Sequence, residues 1–170
     1  MTDPLRIRYA DPDDAPELIE LINRLAIETR FLVVDTIDPV EGLDAVADHL
    51  AAAAESALHC VLVAEVDDRL VGIGLGLAEA HVAKRGSMRV DLGLLAEFHR
   101  RGIGRQLLAG LEMAARDRGC HRIDLLVMTD NIPAMRLYQA AGFEFEGRLR
   151  RHLIVDGVYV DQFLMAKMLD

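Results

Sequence analysis

The chain has 170 residues, 52% of them hydrophobic, with a mean hydropathy of +0.18 and a net charge of −9. That length suits one domain with a core of its own, and the composition excludes a disordered chain. An acidic surface argues against a general binder of nucleic-acid backbones, and no apolar run reaches the roughly 20 residues of a membrane span.

The opening MTDPLRIRYA has no basic segment followed by an apolar stretch, so no signal peptide is read there and a cytoplasmic protein is expected. LRIRYA (5–10) alternates apolar and basic residues as a strand does. DPDDAPELIELINRLAIE then opens a helix, with Asp14 as N-cap, Pro16 in the first turn and Glu17 three residues after the cap. FLVVDTIDP (31–39) reads as loop. VEGLDAVADHLAAAAES (40–56) carries apolar residues at 43, 46, 47, 50 and 54, a helical spacing. ALHCVLVAEV (57–66) and RLVGIGLGLAEA (69–80) are strands joined by Asp67-Asp68, hence a hairpin. The alternating glycines of VGIGLG mark close backbone packing or strand curvature.

HVAKRGS (81–87) is a basic loop and MRVDLGLL (88–95) a strand. FHRRGIGRQLLAGLEMAARDRG (98–119) runs from loop into helix. HRIDLLVMT (121–129) is a strand, and NIPAMRLYQAAG (131–142) a short helix stopped by Gly142. Two last strands flank Asp156-Gly157, a strong hairpin dipeptide. The expected fold class is α/β (α+β). One domain over 1–170 holds a mixed sheet of about seven strands and about four helices, with parallel pairing where helices connect strands. Cys60 and Cys120 lie in or beside apolar runs and read as buried, reduced thiols.

The loop HRRGIG has a physical rationale. A helix start carries four free N–H groups and partial positive charge, and glycines let the backbone curl so that those donors converge on an anion. The loop reads as a phosphate cradle with arginines at its mouth; its bland alternative is a helix start with solvated arginines. It is not a P-loop, since G-x-x-x-x-G-K-[ST] is absent, nor a dinucleotide fingerprint, since Leu107 stands where a third glycine is needed. The six histidines are scattered without H-x-x-x-H or H-E-x-x-H, so no metal is expected.

In NIPAMRLYQAAGF, Asn131, Ala134 and Tyr138 share one helix face. Asn131 reads equally as an N-cap, and Tyr138 as packing with its hydroxyl at the surface. With both stretches in view, the sequence resembles the GNAT-type N-acetyltransferases, which move an acetyl group from acetyl-CoA to an amine. The family's loop Q/R-x-x-G-x-G/A is matched by His99, Arg100, Arg101, Gly102, Ile103 and Gly104, with His99 departing from the usual Gln or Arg. Its later motif N-x-x-A-x-x-x-Y-x-x-x-G-F is matched in full by Asn131, Ala134, Tyr138, Gly142 and Phe143. The tail GFEFEGRLRRHLIVDGVYVDQFLMAKML is similar to L-amino acid N-acyltransferases and phosphinothricin-type enzymes; ribosomal-protein and polyamine acetyltransferases share parts of it.

The resemblance implies direct attack of a small-molecule amine on the thioester, with no covalent enzyme intermediate. It places the pyrophosphate on the N–H groups from Arg100 to Arg105 and makes Asn131, Ala134 and Tyr138 cofactor contacts. The pantetheine arm pairs with Leu92 and Leu94, and an N–H near Leu94 serves the thioester oxygen. Tyr138 is the expected acid for the leaving thiolate. Asp91 is the first candidate for the base, with a strand-face salt bridge involving Arg89's surroundings as its structural alternative; Glu79 and His81 come next. Glu28 and Asp35 are candidate acceptor-pocket residues. The rival readings are a non-catalytic acyl-CoA sensor or interaction module and an acetyltransferase of protein N-termini. A homodimer through the C-terminal strands is an open expectation.

Overall fold

A computed structural model describes residues 5–81 and 86–169; the middle of the basic loop, residues 82–85, lies outside them. The strands are β1 (Arg6–Tyr9), β2 (His59–Val66), β3 (Arg69–Ala78), β4 (Ser87–Leu94), β5 (Arg122–Met128), β6 (Glu144–Val155) and β7 (Val158–Met168). The helices are α1 (Ala15–Glu28), α2 (Leu43–Glu55), α3 (Ile103–Asp117) and α4 (Ile132–Ala140). All seven strands form one sheet in the order β1-β2-β3-β4-β5-β7-β6.

Both predicted hairpins form for the predicted reason. Asp67 and Asp68 take φ of 51° and 54°, and Asp156 and Gly157 take 51° and 78°. Two successive positive φ values match the right-handed twist of the flanking strands. Parallel pairing is rarer than expected. β4 and β5, joined by α3, are parallel, but β1 and β2 run antiparallel although two helices connect them. The chain after α4 passes β5's neighbouring position and forms the sheet edge as β6, leaving β7 to pair with β5.

The start of α1 also departs from expectation. Asp14 occupies the N-cap position without a side-chain cap bond. Its carboxylate accepts from Arg8 at 2.7 and 2.8 Å, and Asp11 caps the preceding 3-10 turn instead. Glu17 accepts from the Leu70 N–H at 2.7 Å, tying α1 to the β2–β3 hairpin rather than closing a capping box.

Two apolar layers sandwich the sheet. On one face α3 buries Leu107, Leu108 and Leu111. Gly74 makes this approach possible, because a Cβ there would stand 3.1 Å from Leu111 and 3.2 Å from Leu107. On the other face α1 and α2 bury Leu18, Leu21, Leu25 and Leu50 against Val61, Val63, Val71 and Ile73. Each such leucine contributes about 1.5–3 kcal/mol by leaving water.

Candidate active site

β4 and β5 part company early. Their pairing covers Ser87–Arg89 against Arg122–Asp124 and then stops. The closed end is tied by Arg89 to Asp124, which Arg122 also approaches at 3.6 Å. β4 continues to Leu94 with β3 on one side, whereas β5 continues to Met128 against β7. A wedge therefore opens between the C-terminal halves of two parallel strands.

The β4 rim of this wedge carries backbone groups that point away from β3, since neighbouring residues alternate sides and the Leu95 N–H is the one that bonds Val71 of β3. Two rim groups are taken by the chain's own side chains. Asp91 Oδ1 accepts from the Leu92 N–H at 2.9 Å. The His99 Nε2 lies 2.8 Å from the Leu94 carbonyl oxygen, to which it donates when the ring carries its proton on Nε2. Leu92, Leu94, Asp91 and His99 thus lie along one rim.

Asp91 shares its face of β4 with Gly93, the face covered by α1, while Met88 and Val90 point into the α3 layer. Solvent reaches the Asp91 carboxyl, but protein walls it on most sides. The lost hydration pushes its pKa up to about 6, against the pull of the Leu92 N–H. Arg89 pairs with Asp124, so the alternative of a salt bridge from Arg89 to Asp91 is not the arrangement found. Tyr138 of α4 is buried at 6% exposure, in the same apolar cluster as Val90, Leu125 and Val127. Desolvation, with the Asp91 charge adding to it, raises the phenol above its ordinary value, so it stays protonated at neutral pH.

The glycine loop lies at the end of the same rim. Arg100 takes φ of 63° and Gly102, the N-cap of α3, takes 79°. A Cβ at Gly102 would meet nothing within 4 Å, so the loop is open to solvent. The first helical bond at this end runs from the Gln106 N–H to the Gly102 carbonyl at 3.2 Å. The N–H groups of Ile103, Gly104 and Arg105 therefore precede the helical ladder and have no acceptor within it. Arg100, Arg101 and Arg105 are exposed around them, with Arg101 5.0 Å over the Phe98 ring. The Ile103 side chain is buried and serves as an anchor; only its backbone faces the loop. Asn131 caps α4, its Oδ1 accepting from the Ala134 N–H at 3.3 Å. Asn131 thereby fixes the helix that carries Tyr138.

The acceptor-side candidates fare differently. Glu28 accepts from the Ala96 N–H at 3.0 Å and from Arg24 at 2.9 Å. The Ala96 bond leads in holding its carboxyl below the usual carboxylate range. Glu28 therefore anchors the turn after β4. Asp35 is exposed in the α1–α2 connection. Glu79 and His81 follow β3 at the closed end of the wedge, where the Glu79 N–H bonds Ser87 O at 3.0 Å; the fold does not bring them to Asp91.

Three features escaped the sequence reading. A cavity of about 390 Å³ lies between α1, α2 and the α1–α2 connection, floored by Ile73, Leu75, Leu92 and Gly93. Asn23 clamps its roof, donating to Ile37 O at 2.8 Å and accepting from the Ile37 N–H at 2.7 Å. Arg30 of the same connection pairs with Asp130, the residue before Asn131. A lone Asn inside an apolar helix pattern was the available signal for the clamp.

Comparison with known proteins places this geometry. A model of the acetyltransferase (GNAT) family matches residues 23–143. The L-amino acid N-acetyltransferase AaaT of Escherichia coli (strain K12) is 33% identical over 87 residues, which cover 49% of this chain and 54% of that protein; the match thus spans about half its length. The crystal structure of a GNAT-family acetyltransferase from Streptococcus pneumoniae superposes with a TM-score of 0.90 at 28% identity, covering 98% of this chain and 100% of that one. The phosphinothricin acetyltransferase of Sinorhizobium meliloti, solved with AcCoA, shares the fold at a TM-score of 0.83 and 18% identity, over 97% of this chain and 88% of that one. With a family model matching residues 23–143, most of its length, and a fold that superposes on these structures, the chain belongs to the acetyltransferase (GNAT) family.

Proposed function

We propose that the protein transfers the acetyl group of acetyl-CoA directly to the primary amine of a small molecule, an amino acid or an analogue of one. The observation that carries this reading is the wedge where β4 leaves β5, with Asp91, a carboxyl whose pKa is raised to about 6, on its β4 rim and close enough to the buried, protonated Tyr138 for its charge to be felt there. A carboxylate ionised near neutral pH and a phenol that keeps its proton supply the base and the acid that amine acylation requires.

The chain's residues fit the cosubstrate. Converging N–H groups at the start of α3, the left-handed Gly102 and the three exposed arginines suit a pyrophosphate. The rim groups of Leu92 and Leu94 suit an extended amide-bearing arm that pairs as a strand would. Asp91 occupies the Leu92 N–H, so binding exchanges that side-chain bond for a ligand bond, whereas His99 on the Leu94 carbonyl fixes the end of the rim and leaves that oxygen a second lone pair.

In the reaction, Asp91 takes a proton from the substrate ammonium, directly or through water. The amine nitrogen bonds to the thioester carbon and the carbon–sulfur bond breaks. Tyr138 gives its proton to the departing sulfur and recovers one from the acylated nitrogen through solvent. An N–H of the β4 rim near Leu94 stabilises the oxygen as negative charge gathers on it. A relay through cysteine is disfavoured, because burial pushes the thiols of Cys60 and Cys120 up and keeps them protonated.

The test is amine-dependent release of free CoA from acetyl-CoA, followed with a thiol reagent. Turnover with a small amine supports the reading. Tight acetyl-CoA binding without turnover on any amine, free amino acids and peptide N-termini included, replaces it with the sensor reading.

A further inference from the structure

We infer that the acceptor is an amine whose main group is apolar, branched or aromatic, and that the cavity beneath the α1–α2 connection holds that group. The inference rests on the acetyltransfer reading and narrows its substrate.

The cavity adjoins the reaction site through β4. Leu92 and Gly93 form part of its floor, and Asp91 precedes them on the strand, on the same face as Gly93. A substrate with its nitrogen at the Asp91 carboxylate therefore has this cavity within reach of its remainder. Its volume of about 390 Å³ falls within the range of small-molecule sites.

The lining decides the chemistry. Among the described residues, His49 is the one lining residue with a polar side chain, and it sits on the exposed side of α2. The other lining residues are aliphatic or glycine. Among the described residues, no lining carboxylate awaits a second ammonium, and no lining guanidinium awaits a distal acid. A polyamine, an aminoglycoside or a lysine side chain would bury charge there without a partner.

The cavity is built in advance of ligand. The two bonds between Asn23 and the Ile37 backbone hold the roof. Gly93 lets Leu32 and Leu25 pack down onto β4 at the cavity's edge: a Cβ there would come within 2.7 Å of Leu32 and 3.0 Å of Leu25. Rigid apolar walls discriminate by fit, each methylene being worth about 10–200-fold in specificity.

The experiment measures kcat/KM with acetyl-CoA for phenylalanine, leucine and 2-phenylethylamine against spermidine, lysine, glutamate and kanamycin. Expected is a preference of about 10²-fold or more for the apolar set. The Ala45→Trp variant, which fills the cavity from the exposed side of α2, is expected to raise KM for phenylalanine about tenfold or more while leaving acetyl-CoA affinity and Tm unchanged. Preference for the polycationic or acidic amines overturns the inference and leaves acetyltransfer standing. So does a preference for hexanoyl-CoA over acetyl-CoA that Ala45→Trp abolishes, since the cavity would then hold the acyl chain. Absence of turnover with every amine, with acetyl-CoA bound, removes the acetyltransfer reading and this inference together.

Discussion

The Asp91 carboxylate adds to burial in raising the pKa of Tyr138, although the two residues come from different elements, β4 and α4, and lie nearly fifty residues apart in the chain. Burial makes Tyr138 a weaker acid, and ionised Asp91 adds to that effect. Removing either group therefore alters the other, and their effects on rate are expected to be non-additive.

The pH profile follows from Asp91. The base must be ionised, so kcat/KM is expected to fall tenfold per pH unit below about 6. Asp91→Asn is expected to lose about 10²–10⁴-fold in rate and to abolish that limb. A profile limb unchanged in the variant would assign the base elsewhere.

The same group has an opposite sign in stability. An unfolded aspartate titrates near ~3.9, and Asp91 in the fold titrates near 6, so the folded state holds the proton more tightly. Its stabilising contribution is complete below the unfolded value and is lost as pH rises through about 6. Asp91→Asn is expected to raise Tm relative to the parent at about pH 8, with the gain shrinking toward about pH 4. Thermal melts at both pH values test this.

Tyr138→Phe removes the proton donor and keeps the packing against Phe143, whose ring centroid lies 5.8 Å away. Turnover is expected to fall about 10²-fold or more with Tm nearly unchanged, and acetyl-CoA affinity is expected to change by less than about threefold. Single-turnover kinetics and calorimetric binding separate these effects. A variant at full rate would strip the phenol of its role.

His99 holds the Leu94 carbonyl and stands close enough to Glu28 to help lower its pKa. His99→Ala releases the end of the β4 rim. A weakened acetyl-CoA Kd and a slower rate are expected, with His99→Gln restoring both because its amide nitrogen donates to the same oxygen. Failure of glutamine to restore them would show that the imidazole itself is required.

Gly102 takes φ of 79° in open space, so Gly102→Ala meets no neighbour and strains only the backbone. The cost is expected at about 1 kcal/mol of stability. Its KM for acetyl-CoA is expected to rise several-fold, about what 1 kcal/mol supplies in binding, as the loop's N–H groups shift. An unchanged KM would remove the loop from cofactor binding.

Much of this was legible in the sequence because it is local. Asp67-Asp68 and Asp156-Gly157 dictate their turns by backbone preference, and the spacing of Leu107, Leu108 and Leu111 dictates a buried helix face. The glycine loop was readable from residues 99–104 alone. What stayed hidden depends on distant partners. Asp14 and Glu17 have the spacing of a capping box, but Arg8 and the Leu70 N–H offer them stronger partners once the sheet forms. Glu28, expected at the acceptor, is taken by the Ala96 N–H, and nothing at residue 28 announces that bond. The cavity is less readable still. It exists between elements, its walls look in sequence like ordinary core, and it persists because Asn23 holds its roof away from the floor.

The Asn23 clamp also divides labour along the chain. The roof over the cavity is one connection between α1 and α2, residues 29–42, whereas Asp91, Tyr138 and the glycine loop all come from later in the sequence. Two bonds to the Ile37 backbone hold that connection in place, and because they read no side chain at position 37, the roof can change its amino acids without losing its fastening. On the reading proposed here, a transplanted roof would give the same catalyst a new clientele.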